Sequence, residues 1–206
     1  MEHIDPVMAE RFNELLLQHS REPDMVSRLG IEQQLWREFG AERAVLVLDM
    51  SGFSELCERH GIVHYLSMVR RMQATAEPII GKYDGALVKF EADNCYATFP
   101  TVDGAQRAAL ELNSAFHAAN EATPDELDIR VSCGIDFGQI LVLHGRDFYG
   151  HAVNRACKLG EDVAIAGEIL ITAEAAAKLS TPHNGATRVQ LGVSGIRIEA
   201  WSVKVA

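Results

Sequence analysis

The chain has 206 residues and is 48% hydrophobic, enough for one sizeable core and too little for a second full domain. Its net charge of −10 excludes a general nucleic-acid binder, and no apolar run approaches a bilayer span. The start, Met1-Glu2-His3-Ile4-Asp5, lacks a signal-peptide pattern, and the widely spaced Cys57, Cys95, Cys133 and Cys157 form no CxxC pair, so a reduced cytoplasmic protein is expected.

The first 42 residues read as a separate helical segment. Asp5-Pro6 places a cap before a proline at the first helical position, and Met8, Phe12, Leu15 and Leu16 recur at helical spacing. A second amphipathic stretch follows Glu22-Pro23-Asp24, carries Met25, Leu29, Ile31, Leu35 and Trp36, and stops at Gly40. From 43 to 206 the pattern changes. A strand through Ala44–Asp49 precedes a long helix over Val63–Tyr83, which Pro78 kinks or shortens. A hairpin follows, with strands Ala86–Glu91 and Cys95–Phe99 turning at Ala92-Asp93-Asn94, and then the alanine-rich helix Ala105–Ala119. Beyond a loop at Thr123-Pro124-Asp125 come strands Ile129–Phe137 and Gln139–Leu143, a helix after Gly150, and a short strand Glu168–Thr172. Another helix and two strands, near Arg188–Leu191 and Ile196–Val203, close the chain. Strand, helix, hairpin, helix, strand is the ferredoxin-like βαββαβ order. It predicts an α+β domain whose mainly antiparallel sheet is covered by helices on one face.

The chemistry starts at two aspartates on the ends of apolar runs, Asp49 and Asp93. An unpaired carboxylate in an apolar setting is costly, so two at neighbouring strand ends call for a cation, and a pair of divalent ions fits. Either aspartate alone is equally an ordinary turn or cap residue. The turn Ser51-Gly52-Phe53-Ser54, opening toward a helix, offers backbone N–H groups for a triphosphate. Lys89 lies four residues before Asp93, about 13 Å along a strand, too far to grip the same phosphate. A cleft shared by two chains would bring such ends together, while a lysine capping the sheet surface fits the same spacing. Asn154 and Lys158, four apart on one helix, share a face that could equally be solvated, and Asp147 precedes them in a loop. His60 and His64 have metal-pair spacing, but Gly61 between them marks a helix boundary and nothing completes the ligand set.

Four segments in order then resemble the class III nucleotidyl cyclases, the adenylate and guanylate cyclase catalytic domain, from about Arg43 to Val203. They are Leu48-Asp49-Met50-Ser51-Gly52-Phe53-Ser54, Lys89-Phe90-Glu91-Ala92-Asp93, Cys133-Gly134-Ile135-Asp136-Phe137-Gly138, and Asp147-Phe148-Tyr149-Gly150-His151-Ala152-Val153-Asn154. The resemblance implies that Asp49 and Asp93 bind two Mg2+ or Mn2+ ions, that Lys89 and Asp147 read the purine, and that Asn154 orients the ribose. Lysine can donate to adenine N1 and aspartate can accept from the N6 amine, whereas guanine presents the reverse pattern. ATP is therefore favoured over GTP. Where the family usually has arginine this chain has Lys158, a point charge in place of a planar fork. Arg197, four before Trp201, is the match to the family's triphosphate-binding cation.

The expectation is an adenylate cyclase converting ATP to 3′,5′-cyclic AMP and pyrophosphate for intracellular signalling, with its site between the two chains of a head-to-tail homodimer. A catalytically weak or inactive cyclase-fold module that binds nucleotide or dimerises is the alternative. A diguanylate-cyclase-like palm enzyme fits poorly, because the hairpin lacks a Gly-Gly-Asp/Glu-Glu-Phe turn. The helices before Arg43 would dimerise, transmit a signal from an upstream regulatory partner, or cap the sheet.

Overall fold

The computed structural model describes residues 6–143, 146–181, 185–193 and 195–205; the Asp5 cap lies outside them. Two helices come first, α1 (Pro6–Arg21) and α2 (Met25–Phe39), the latter capped by Asp24, whose carboxylate accepts from the Ser27 N–H. They close on each other through Ala9, Phe12, Leu15, Leu35 and Phe39, which also cover Leu143.

The core follows as β1 (Gly40–Met50), α3 (Phe53–His60), α4 (Ile62–Lys82), β2 (Ala86–Glu91), β3 (Asn94–Phe99), α5 (Val102–Asn120) and β4 (Val131–Leu143). After it come β5 (Asp147–Tyr149), α6 (His151–Cys157) with a π-helical continuation over Lys158–Val163, β6 (Glu168–Thr172), α7 (Ala173–Ala176), β7 (Thr187–Val193) and β8 (Ile196–Lys204). The strand order is β2-β3-β1-β4-β6-β8-β7, with β5 added to the far end of β4. The first four strands pair antiparallel in the ferredoxin-like order; only β4 and β6 run parallel. The α+β core with its ferredoxin-like order and the preceding helices are thus as the sequence predicts.

Several details differ. Helices lie on both faces rather than one. Leu46, Leu48 and Cys95 pack with α4 and α5, whereas Val45, Val47, Val88, Tyr96 and Ile140 pack under α6. The unbroken apolar run Ala44–Leu48 carried that information, because a strand covered on both sides reads as continuous rather than alternating. Gly138 does not split β4, because the ladder to β1 passes through Arg43↔Gly138 without a shift. Pro78 does not end α4, whose last turn is held by buried Ile79 and Ile80. Gly61 does separate helices, standing between α3 and α4 at φ 86°.

The helix that carries Asn154 and Lys158 approaches the sheet at two glycines. A Cβ on Gly134 of β4 would meet the Ala156 carbonyl oxygen at 2.1 Å, and one on Gly160 would meet the Val47 carbonyl oxygen at 2.9 Å. Beside this contact Arg155 pairs with fully buried Asp136 at 2.5 Å, and Asp136 also accepts from the Thr172 hydroxyl at 2.5 Å and the Phe137 N–H at 2.8 Å. Burial raises the Asp136 carboxyl while these donors pull it back down. Charge pairing and close backbone contact therefore fix α6 over β1 and β4.

Candidate active site

Asp49, the penultimate residue of β1, lies on the face that carries Val45, Val47 and α6, opposite Asn94 in the β1–β3 ladder. Asp93 is buried in the two-residue turn between β2 and β3, where Ala92 takes φ 51°, and its carbonyl accepts the Met50 N–H at 3.2 Å. The carboxyl of Asp49 is pushed up to about 7, first by burial, then by the charges of Asp93 and Glu161. Buried Tyr65 lies beside them, its hydroxyl raised by burial and then by Asp93.

The pair is thus a half-buried concentration of negative charge. The Asn94 side-chain oxygen adds to it, buried without a hydrogen-bond partner among the described residues. Directly opposite residues on antiparallel strands project from one face, so this oxygen stands on the Asp49 side. Carboxylates and an amide oxygen form the hard donor set that Mg2+ or Mn2+ prefers, and the residues present fit such an ion. No group of three or more His, Cys, Asp or Glu among the described residues forms a metal cluster. The His60 and His64 rings lie 4.7 Å apart between centroids, tilted by 31°, and His64 Nε2 is engaged by the Glu126 carbonyl at 2.7 Å.

A second group lies on the same face. Lys89 of β2 and Asp147 of β5, 58 residues apart in the chain, meet with Nζ 3.4 Å from Oδ1. Asp147 is in a strand rather than the expected loop, paired with Leu143. Its carboxylate also accepts the Phe148 N–H at 2.9 Å and the Tyr149 hydroxyl at 3.1 Å. Lys89 bonds more closely to Glu91, at 2.7 Å, which is the first cause of its raised pKa. Its ammonium also lies 5.2 Å from the centre of the Tyr96 ring.

Asn154 is exposed on α6, and Lys158, half-buried, stands where α6 passes into the π-helical turn. Glu161 follows on that turn, accepts the Tyr96 hydroxyl at 3.0 Å and acts electrostatically on Asp49. Glu161, Tyr96 and Asn94 are the neighbours that sequence reasoning passed over. Glu161 carried a signal, since positions 154, 158 and 161 share one helical face.

One expectation needs correction, and one predicted residue lies apart from the others within a single chain. The Ser51 N–H is not free for a triphosphate, being donated to the Arg130 carbonyl at 2.8 Å, because the Ser51 backbone continues toward the strand start at Val131. Gly52, at φ 88°, opens α3 without a side-chain cap, so the N–H groups from Gly52 and Phe53 onward are the ones at that helix start. Arg197 does not join the cluster within one chain. It is exposed on β8, three strands from β1, and alternates with Ile198, which packs toward Leu159 on the α6 side.

Comparison with known proteins agrees with this geometry. The profile of the adenylate and guanylate cyclase catalytic domain matches residues 40–203. A Rhizobium meliloti (strain 1021) protein named "Putative adenylate cyclase 3" is 30% identical over 129 residues, 63% of this chain and 22% of that relative, so the chain spans about a fifth of its length. An adenylate/guanylate cyclase/hydrolase from Silicibacter pomeroyi superposes with a TM-score of 0.63 at 30% identity, covering 79% of this chain and 96% of that one. The same fold recurs in a bacterial light-regulated adenylyl cyclase (TM-score 0.66, 22% identity, 80% and 90% covered) and in the guanylyl cyclase Cya2 (0.66, 17%, 79% and 91%). With the profile spanning most of its length, the chain belongs to the adenylate and guanylate cyclase catalytic domain family, the class III nucleotidyl cyclases.

Proposed function

We propose that the chain is an adenylate cyclase that converts ATP to 3′,5′-cyclic AMP and pyrophosphate at a homodimer interface, with two Mg2+ or Mn2+ ions. The observation that carries the choice of base is the contact between Lys89 and Asp147. An ammonium beside a carboxylate presents a donor for adenine N1 and an acceptor for its N6 amine, whereas guanine carries a donor at N1 and an acceptor at C6 and would meet like with like. Loss of Lys89 from its exposed partner Glu91 costs little, since a surface ion pair contributes about 0–1 kcal/mol.

Divalent cations held by Asp49 and Asp93 would favour ionisation of the ribose 3′-hydroxyl and offset the charge of the triphosphate. On this reading a bound cation would favour the ionised form of Asp49, offsetting the burial, and then the charges of Asp93 and Glu161, that raise its carboxyl. Asn154 orients the ribose from the exposed face of α6. Lys158 supplies positive charge to the phosphoryl oxygens as negative charge builds on them. Asp49 and Asp93 at one set of strand ends, and Lys89, Asp147, Asn154 and Lys158 around α6, are two half-sites. A head-to-tail pairing of two chains would complete both. Among the described residues no helix is long and apolar enough to cross a membrane.

Purified chain given ATP and Mn2+ should form cyclic AMP, and Asp49→Ala should abolish product with an unchanged circular dichroism spectrum. Persistent activity in that variant would refute the metal assignment. Lys158 in place of the family's usual arginine favours a second reading, a nucleotide-binding module with little turnover. Calorimetric ATP binding without any product would select it.

A further inference from the structure

The N-terminal helices touch the site through one side chain. Phe12, buried in the α1–α2 pair and set edge-on to Phe39 at 5.0 Å, lies parallel to the Tyr149 ring, with centroids 5.7 Å apart and planes 9° from coplanar. The Tyr149 hydroxyl reaches on to the Asp147 carboxylate at 3.1 Å. One unbroken series of contacts therefore runs from α1 to Asp147 and Lys89.

We infer that Tyr149 is a positioning residue that couples the α1–α2 helices to the base-reading carboxylate; the inference rests on the adenine-reading role of Lys89 and Asp147. A carboxylate has about four acceptor positions. On Asp147 the Phe148 N–H and the Lys89 ammonium face Oδ1, and the Tyr149 hydroxyl holds Oδ2. That leaves Oδ2 one further acceptor position for an exocyclic amine, in an orientation that the tyrosine sets. Tyr149 is 45% exposed, and the parallel ring of Phe12 lies against it on the α1 side. A shift of α1 moves Phe12, frees the ring and loosens Asp147, so the helices before the domain act on nucleotide affinity rather than on the chemical step.

The test uses the full chain, ATP and Mn2+, with KM and kcat measured separately and ATP binding followed by calorimetry. Tyr149→Phe keeps the stack and removes the hydroxyl. Phe12→Ala keeps the hydroxyl and removes the stack. Each should raise KM and the ATP dissociation constant about three- to tenfold, the range of one aromatic contact or hydrogen bond, with a much smaller change in kcat. The double variant should be no worse than the weaker-binding single variant, because both changes break the same connection. If Phe12→Ala melts below the assay temperature, Phe12→Leu, which keeps bulk without a ring face, takes its place. Additive effects, or unchanged ATP affinity in Tyr149→Phe, would overturn the inference. Lys89→Glu separates the two levels. If it also leaves ATP affinity unchanged, the base-reading role itself fails; if it weakens ATP while Tyr149→Phe does not, only the coupling fails.

Discussion

Replacing Asp49 by asparagine should stabilise the metal-free protein at neutral pH and remove its response to metal. The unfolded carboxyl ionises near 3.8, and the folded one is held to about 7 by burial and by Asp93 and Glu161. Between these values the folded chain retains a proton that the unfolded chain has released. Stability therefore falls as pH rises from about 4 to 7 and levels off above. The interval, about three units at about 1.4 kcal/mol each, sets an upper limit near ~4 kcal/mol. Solvent screening of a half-exposed group brings this to about 1–2 kcal/mol. Asparagine has no such charge. In EDTA at pH 8, Asp49→Asn should melt about 2–8 °C above the unaltered chain, at about 2–4 °C per kcal/mol for this length. At pH 5 the gap should shrink to roughly a third, following the fraction of the interval already titrated. Saturating Mn2+ should reverse the order, adding about 2.7 kcal/mol to the unaltered chain at a hundred times the dissociation constant and nothing to the variant. Coincident melting curves at pH 8, or a less stable variant in EDTA, would show that Asp49 is already satisfied within the chain, and an equal Mn2+ stabilisation of both proteins would show that it is no cation ligand.

Other outcomes follow from the supporting contacts. Arg155→Ala leaves Asp136 buried and unpaired, and should cost about 3–5 kcal/mol in urea unfolding at pH 7, with a smaller loss in acid where Asp136 takes a proton; a loss under 1 kcal/mol would show that Asp136 does not depend on Arg155. Lys158→Arg should raise kcat several-fold, up to roughly tenfold for about 1.4 kcal/mol of added transition-state stabilisation, with KM nearly unchanged. An unaltered kcat would mean that Lys158 does not face the phosphoryl charge.

Much of this arrangement is legible in the sequence because the signals are local. Apolar runs with turn residues between them give the strand order, and the aspartates at their ends mark where the two carboxylates come together. Lys89 and Asp147 follow from resemblance alone, since no local pattern tells that residues 58 apart will meet at 3.4 Å. What escaped was set by tertiary contact. Gly138 reads as a break until the β1–β4 ladder passes through it, and the Ser51 N–H reads as free until Arg130 accepts it. Asp147 reads as a loop residue because a three-residue strand such as β5 is too short for an alternation to register. Arg197 shows the converse. Its phosphate contact is implied by resemblance alone, and within one chain strand alternation sets it against Ile198 and away from the α6 side.

The most direct test supplies ATP and GTP side by side, at equal concentration with Mn2+, to the unaltered chain and to the Lys89→Glu, Asp147→Cys double variant. Cyclic AMP should form in clear excess over cyclic GMP from the unaltered chain, and the variant should lose that preference. Equal use of both nucleotides by the unaltered chain, or an ATP preference that survives both substitutions, would contradict the adenine-reading role of Lys89 and Asp147.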